Sequence, residues 1–213
     1  MSRAPATLIV GLTGGMGTGK STVARLLAKN RGVAVIDADQ LAHEVLKPGK
    51  LGHRDVVRRF GKGILNPDQS VHHKKLATIV FSDDDARRDL EAIVHPRVLR
   101  DIKHKMYRMQ RNTDKRLFAI VLDVPLLFET GSEKLADVVV VVTASPEVTL
   151  ARLRERGVSE EDAARRIAAQ MDVSAKAALA DVVFDNSGDL EQTRRQVSEL
   201  WQHLVTTRRR RRA

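Results

Sequence analysis

The 213-residue chain has no cysteine and few aromatic residues, and each shortage excludes a class of function. Without cysteine the chain forms no disulfide, offers no thiolate to a metal and has no cysteine nucleophile. A chain without disulfides suits a reducing compartment, so we expect a cytoplasmic protein. Aromatic residues make up 3% of the chain, which argues against a surface that binds single-stranded nucleic acid by stacking bases on rings.

Long apolar segments are also missing. No apolar run approaches the roughly 20 residues that a bilayer-spanning helix needs, so we expect no membrane segment. The first apolar run begins at Thr7, so we expect no signal or transit peptide before it. Hydrophobic residues nevertheless make up 42% of the chain, as expected of a packed globular domain rather than a disordered chain.

Positive charge is plentiful, with a formal net charge of +10, half of it from the five arginines Arg208 to Arg212. These arginines follow the last periodic segment, so we predict a disordered, solvated basic tail over residues 207–213. A targeting or nucleic-acid-binding tail is the alternative. The remaining chain is still basic, which fits an anionic small-molecule substrate as well as nucleic acid. We expect at most nonspecific contact between the tail and nucleic acid, and a monomer or a weak homo-oligomer.

Short apolar runs alternate with longer helical patterns along the chain. Five runs are predicted as strands: residues 7–13, 33–37, 117–124, 137–143 and, more weakly, 181–186. The fourth run is nearly all valine, which is typical of a strand covered on both faces of a parallel sheet. The last segment has helical spacing instead, at Val197, Leu200, Trp201, Leu204 and Val205. The alternation predicts an α/β fold with a five-stranded parallel sheet flanked by helices.

Two intervals interrupt this alternation. Residues 39–113 carry no strong strand signal and are too long for a loop, so we predict a helical insertion that binds the substrate. Residues 146–180 are helical and rich in arginine, and we predict that they form a small lid. The nucleotide-binding core is then formed by residues 1–38, 114–145 and 181–206. Within the insertion, Ser82 is predicted to cap a helix, and Pro96 predicts a kink or a break between two helices.

The strongest motif is Gly14-x-x-x-x-Gly19-Lys20-Ser21, which follows the first predicted strand and opens a helix. Its glycines let successive backbone N–H groups turn inward and cradle phosphate oxygens, and the helix adds its positive amino-terminal end. In such loops the lysine reaches the β- and γ-phosphates and the serine hydroxyl ligates Mg²⁺. The motif predicts a P-loop NTP-hydrolase fold that binds a nucleoside triphosphate with Mg²⁺, but it does not identify the reaction.

The two additional intervals favour a small-molecule kinase. Such an enzyme needs an acceptor site, a carboxylate near the acceptor hydroxyl, and cations that stabilise the charge on the transferring phosphoryl group. The insertion is suited to form the acceptor site, and the arginine-rich interval is suited to bring the cations. A GTPase would need an Asn-Lys-x-Asp stretch, which the sequence lacks. Another nucleoside or nucleotide kinase and a nucleic-acid-binding phosphate-loop ATPase remain as alternatives.

The sequence resembles the dephospho-CoA kinase family in the stretches "GLTGGMGTGKSTVARLL", "VIDADQLAHEVLKPG", "DVPLLFETG", "VVVVVTASPEVTLARLRERG" and "ADVVFDNSGDLEQTRRQV". The resemblance implies that ATP phosphorylates the ribose 3′-hydroxyl of dephospho-CoA, the last step of coenzyme A synthesis. It also implies a nucleotide-binding core, a helical CoA-binding insertion and a lid. The sequence departs from the family pattern at Gln69, where a glycine is common, and in its arginine tail.

The resemblance also assigns site residues. It implies that Asp39 is the catalytic base, that Arg152 and Arg156 are lid arginines, and that Asn186 lies near the adenine. The ATP-binding residues are Gly14, Gly15, Met16, Gly17, Thr18, Gly19, Lys20, Ser21 and Thr22. The position of Asp39 supports its role independently, because ligands of open α/β sheets bind at the carboxyl ends of parallel strands. Asp37, three residues before Gln40, is instead predicted to cap the following helix.

Five further residues are predicted to lie in or near the site. Asp123 ends the third predicted strand and is either a second carboxylate on the Mg²⁺ side, acting through water, or a cap of the next turn. Pro125 and Leu126 are expected to shape the wall beside the acceptor, and we assign Thr13 to the same substrate site. His95 precedes Pro96 and is either structural or a polar contact to the acceptor. Lys20 and Arg152 are expected to stabilise the transferring phosphoryl group.

Overall fold

The computed structural model describes residues 7–111 and 117–210, the side chains of residues 208–210 excepted. Its strands are β1 (Leu8–Gly14), β2 (Val33–Asp37), β3 (Ala119–Asp123), β4 (Val138–Thr143) and β5 (Val182–Asp185). Each lies within two residues of a predicted run at either end, so all five strand predictions are confirmed. The helices are α1 (Lys20–Leu27), α2 (Ala38–Val45), α3 (Leu51–Phe60), α4 (His73–Ser82), α5 (Asp84–Arg111), α6 (Pro146–Glu155), α7 (Glu160–Ala168), α8 (Val173–Ala178) and α9 (Leu190–Arg210).

The strands form one sheet in the order β2-β3-β1-β4-β5. The pairs β1–β3, β1–β4 and β4–β5 are parallel, with Leu12 opposite Asp123 and Gly14 opposite Val142. Every residue of β1 and β3 is buried, which is the pattern of strands covered on both faces. The predicted α/β fold with a parallel sheet is therefore confirmed.

The chain divides into two compact units, one formed by Met1–Ile36 with Arg108–Ala213 and the other by Asp37–Tyr107. The second unit is mainly helical and overlaps most of residues 39–113, and their role as a substrate-binding insertion stays a prediction. The predicted lid interval carries α6, α7 and α8 and belongs to the first unit. Its separation from the nucleotide-binding core stays a prediction.

The core of the first unit lies between the sheet and the helices α1 and α9. Val23 and Leu27 of α1 pack in one cluster with Val197, Leu200 and Leu204 of α9 and with the strands. Burying a large aliphatic side chain contributes about 1.5–3 kcal/mol, so this stripe accounts for much of the helix docking. The helical period read from the last segment of the sequence is thus confirmed.

The predicted disordered tail is partly wrong, because α9 continues through Arg210. Residues 207–210 extend the helix, and residues 211–213 lie outside the described part of the chain. The preceding turns carry the buried Leu204, and a helix already docked by such a residue propagates at little cost. Across the described ranges, no helix combines the length and the apolarity that crossing a bilayer would need.

Two expectations about the second unit are also corrected. Ser82 does not cap α5 but ends α4, where its hydroxyl donates to Thr78 O at 2.9 Å. The cap is Asp83, whose Oδ1 accepts from the backbone N–H of Asp85 at 2.8 Å and of Ala86 at 3.1 Å. Of the kink or break predicted at Pro96, the break is wrong, since α5 is one helix with Pro96 inside it, and the kink stays a prediction.

Packing explains why α5 continues past Pro96. Proline removes one hydrogen bond of the helix and crowds the preceding turn. Val94, Val98 and Ile102 lie on both sides of it, four residues apart, and all three are buried. A continuous apolar face of this kind stabilises the helix by more than the local defect costs.

The turn at Gln69 offers a stability prediction. Gln69 has φ 65°, and the turn closes an antiparallel bridge between Leu65 and Val71. A residue with a β-carbon is strained there by roughly 1 kcal/mol, whereas glycine is not. We expect Gln69→Gly to raise the free energy of unfolding by about 0.5–1 kcal/mol in chemical denaturation.

Gln69→Ala is the matched control, because it removes the side chain but keeps the β-carbon and the strain. Equal stability of the glycine and alanine variants would show that backbone strain is not the cause.

Candidate active site

The phosphate loop connects β1 to α1 in the first unit. Gly17 and Gly19 have φ of 80° and 85°, a region that residues with a β-carbon rarely adopt. Gly19 is the residue before α1, and the first N–H groups of any helix have no partner within that helix. The loop therefore presents backbone donors at the positive end of α1, as an anion site requires.

The surroundings of the loop also demand glycine. A β-carbon at Gly19 would lie 2.2 Å from Asn186 Nδ2, and one at Gly15 would lie 2.5 Å from Val173 Cγ2. At Gly17 it would approach Thr149 Cγ2 to 2.9 Å. Side chains from three distant segments thus contact the loop where the β-carbons are missing, and the loop conformation is held by tertiary packing as well as by its own sequence.

Lys20 and Asp123 form an ion pair at the carboxyl edge of the sheet. Lys20 is the first residue of α1 and Asp123 is the last of β3, the strand beside β1. The side chains are only 14% and 9% exposed, so the pair is shielded from water. Both predicted roles of Asp123 remain open, but the structure places its carboxylate beside the lysine that contacts phosphates in loops of this type.

The residues assigned to Mg²⁺ are chemically suited to it. Ser21 follows Lys20 in the first turn of α1 and is exposed, and Asp123 supplies a carboxylate. Mg²⁺ prefers oxygen ligands and in nucleotide sites uses few protein groups, together with waters and phosphates. A hydroxyl and a nearby carboxylate fit that preference.

Asn186 and Arg152 converge on the backbone carbonyl of Thr18 in the phosphate loop. Asn186 is 3% exposed, and its Nδ2 donates to Thr18 O at 2.8 Å. Its Oδ1 accepts from the hydroxyl of Thr193 at 2.7 Å. The Nη1 of Arg152 donates to the same Thr18 carbonyl at 3.2 Å. Two residues assigned from the sequence therefore hold the phosphate loop through hydrogen bonds to its backbone, and Thr193 orients Asn186.

A cavity of about 200 Å³ opens beside these residues. Arg152 and Arg156 both line it, as their spacing of four residues on a helix predicts. Arg154, by contrast, is exposed and pairs with Glu160. The complete lining is Gly19, Thr22, Arg152, Glu155, Arg156, Asn186, Leu190 and Thr193. The cavity adjoins the phosphate loop, so a nucleotide held by the loop has space next to it.

Thr13 lies near the end of β1, and Pro125 and Leu126 follow β3, the strand beside it. Thr13 is completely buried, and its hydroxyl donates to Pro125 O at 2.9 Å. Pro125 and Leu126 are half-buried in the segment after β3. The structure gives Thr13 a contact that holds this segment, and a direct contact of these three residues with a substrate stays a prediction.

The remaining predicted residues belong to the second unit. Asp37 caps α2, because its Oδ1 accepts from Gln40 N at 3.0 Å, which confirms the predicted cap. Asp39 lies in the first turn of α2 and is exposed. His95 is half-buried in α5. The assignments of Asp39 and His95 stay predictions.

Sequence reasoning missed Thr193, Lys176 and Glu129. The sequence did carry a signal for Thr193. It lies four residues before Val197, on the apolar stripe of α9, and a polar residue at such a position indicates a buried hydrogen bond. Lys176 is 0% exposed, and its ammonium lies 2.8 Å from Glu129 Oε1. No local pattern distinguishes this lysine from an exposed one.

The fold and the loop define the class of the protein. A parallel sheet in the order β2-β3-β1-β4-β5, with the glycine loop and Lys20 directly after the central strand, is a phosphate-loop NTP-hydrolase fold. Comparison with known proteins then gives the family. The family model for dephospho-CoA kinase matches residues 8–192.

Individual relatives agree with the family model. A dephospho-CoA kinase of Streptomyces avermitilis is 47% identical over 200 residues, covering 93% of this chain and 94% of that protein. The one from Geobacter metallireducens is 44% identical over 199 residues, covering 93% and 97%. The solved structure of dephospho-CoA kinase from Campylobacter jejuni is 27% identical with a TM-score of 0.66, covering 92% and 96%. The chain belongs to the dephospho-CoA kinase family.

Proposed function

We propose that this protein transfers the γ-phosphoryl group of ATP to the ribose 3′-hydroxyl of dephospho-CoA, giving coenzyme A and ADP. The observation that carries the proposal is the family match over residues 8–192, on a chain whose phosphate loop keeps the glycines and lysine that the chemistry requires. The absence of cysteine suits a reducing compartment, and we propose that the reaction takes place in the cytoplasm.

The phosphate loop binds and orients the donor. The N–H groups of the loop and the amino-terminal end of α1 hold the phosphate oxygens. The ammonium of Lys20 reaches the γ-phosphate, either by breaking its ion pair with Asp123 or by contacting both groups at once. Ser21 and Asp123 would hold Mg²⁺, which neutralises charge on the phosphates when bound. We place the nucleoside part of ATP at the cavity beside Gly19 and Asn186, which adjoins the loop.

Charge stabilisation and proton acceptance complete the reaction. The transferring phosphoryl group spreads negative charge over its oxygens, so cations placed beside it lower the barrier. Lys20 and Arg152 have this role in our proposal. Asp39 orients the 3′-hydroxyl and accepts its proton as the new bond forms. The helical second unit supplies the site for the acceptor.

The test is ATP consumption with dephospho-CoA compared with a panel of nucleosides and nucleotides, with the product identified by mass. We expect dephospho-CoA to be the preferred acceptor by a wide margin. A preferred nucleoside or nucleotide would favour another small-molecule kinase, and no rate above background with dephospho-CoA would overturn the proposal.

A truncated chain lacking residues 206–213 separates this proposal from a nucleic-acid-binding ATPase. The cut falls after the buried Leu204, so the core face of α9 is kept. Kinase activity should survive the truncation. Strong, salt-sensitive nucleic-acid binding that is lost with the tail would support the other class.

A further inference from the structure

Lys176 is a charged residue with no exposed surface, and it lies outside the group of residues assigned to the reaction. It belongs to α8, and its Nζ lies 2.8 Å from Glu129 Oε1 and 2.8 Å from Pro125 O. Moving an ammonium out of water costs several kcal/mol unless a carboxylate and further acceptors compensate. The chain provides both, so the position of Lys176 is closely defined by its partners.

The carbonyl of Pro125 accepts hydrogen bonds from two other segments of the chain. It accepts from Lys176 Nζ of α8 and from the hydroxyl of Thr13, which lies at the end of β1 directly before the phosphate-loop motif. Pro125 itself lies two residues after Asp123, the partner of Lys20. The two donors therefore determine how the chain leaves β3 next to the carboxylate that faces Lys20.

Glu129 and Val173 connect the same helix to the rest of the site. Glu129 Oε1 also accepts from the backbone N–H of Met171 at 2.9 Å, two residues before α8 begins. Val173, in the first turn of α8, lies against Gly15 of the phosphate loop. A β-carbon added at Gly15 would lie 2.5 Å from Val173 Cγ2. The ion pair thus holds α8 against both the segment after β3 and the phosphate loop.

We propose that Lys176 is a positioning residue for phosphoryl transfer. Its ammonium holds the Pro125 carbonyl and, through it, the Asp123 carboxylate and the phosphate loop in their working arrangement. Lys176 touches neither the donor nor the acceptor, and this role rests on the proposed function. Small displacements of positioned groups are costly in such reactions, where about 1 Å can reduce the rate on the order of a hundredfold.

The first test is Lys176→Met, which keeps an unbranched side chain one atom shorter and removes the charge. We expect kcat with dephospho-CoA, per folded molecule, to fall about tenfold to a hundredfold, while the KM for ATP changes little. Lys176→Met combined with Glu129→Gln also removes the carboxylate left without its partner, and it should fold even if the single variant does not. This double variant should show the same loss of kcat.

A double-mutant cycle with Thr13→Val tests the shared carbonyl. Because both donors act on Pro125 O, the two effects on kcat should be non-additive, whereas independent sites add. Val197→Ala, in the apolar core of the same unit, is the control for lost stability and should leave kcat per folded molecule unchanged.

Three results would overturn the role of Lys176. These are full kcat per folded molecule in both Lys176 variants, additive effects with Thr13→Val, or a loss of kcat that Val197→Ala reproduces at equal stability. Failure of the proposed function looks different, because the unsubstituted chain would then not phosphorylate dephospho-CoA at all.

Discussion

The substitution Asp39→Asn is expected to lower kcat about a thousandfold, within the range that a general base contributes to proton transfer. The amide keeps the size and shape of the side chain but accepts no proton and repels no phosphate. Asp39 lies in the first turn of α2 and is exposed, so the substitution removes no buried charge. The affinity for ATP should stay nearly the same, as measured by direct nucleotide binding.

Asp37→Asn is the matched control for this prediction. Asp37 is two residues away, carries the same group and caps α2 through Gln40 N at 3.0 Å. Asparagine caps helices about as well as aspartate, so Asp37→Asn should keep both stability and turnover. Near-normal turnover of Asp39→Asn, or equal losses in the two variants, would remove Asp39 from the role of base.

Lys20→Met is the second substitution with a large expected effect. Removing one positioned donor to a developing charge typically costs on the order of 10²–10³ in kcat, and in our proposal Lys20 is the loop residue that reaches the γ-phosphate. We therefore expect Lys20→Met to lose at least that factor in steady-state turnover with dephospho-CoA and to bind ATP more weakly.

The ion pair with Asp123 complicates the interpretation of Lys20→Met. The side chain of Asp123 is only 9% exposed, and a buried carboxylate that loses its lysine partner destabilises the fold by a few kcal/mol. Lys20→Met combined with Asp123→Asn removes both charges and should recover much of that stability in thermal unfolding without recovering turnover. Substantial turnover in Lys20→Met itself, once corrected for the folded fraction, would contradict the assigned role of Lys20.

The parts of the site that were predictable come from short-range patterns. The valine run at residues 137–143 became β4, the cap by Asp37 needed only Gln40 three residues on, and the glycines of the phosphate loop adopted the backbone that their spacing indicates. Each is indicated by neighbours within a few residues, where steric and hydrogen-bonding preferences favour one local structure.

The errors and omissions arise where distant packing opposes a local preference. Pro96 is typical of a helix break, yet buried residues on either side keep α5 continuous. The burial of Lys176 depends on Pro125, 51 residues away in the chain, and the bond from Asn186 to Thr18 O joins residues 168 positions apart. No pattern near these residues in the sequence indicates their partners.

The sequence by itself determined the five strands, the parallel α/β class, the phosphate loop and the family of this protein. Strand period, glycine spacing and the order of the motifs are properties of the linear chain, and they do not depend on the details of packing. Only the tertiary structure decided that Lys20 faces Asp123 and that Lys176 holds the Pro125 carbonyl. These contacts form between segments that only the folded sheet brings together, so their geometry is set by the packing of the whole unit.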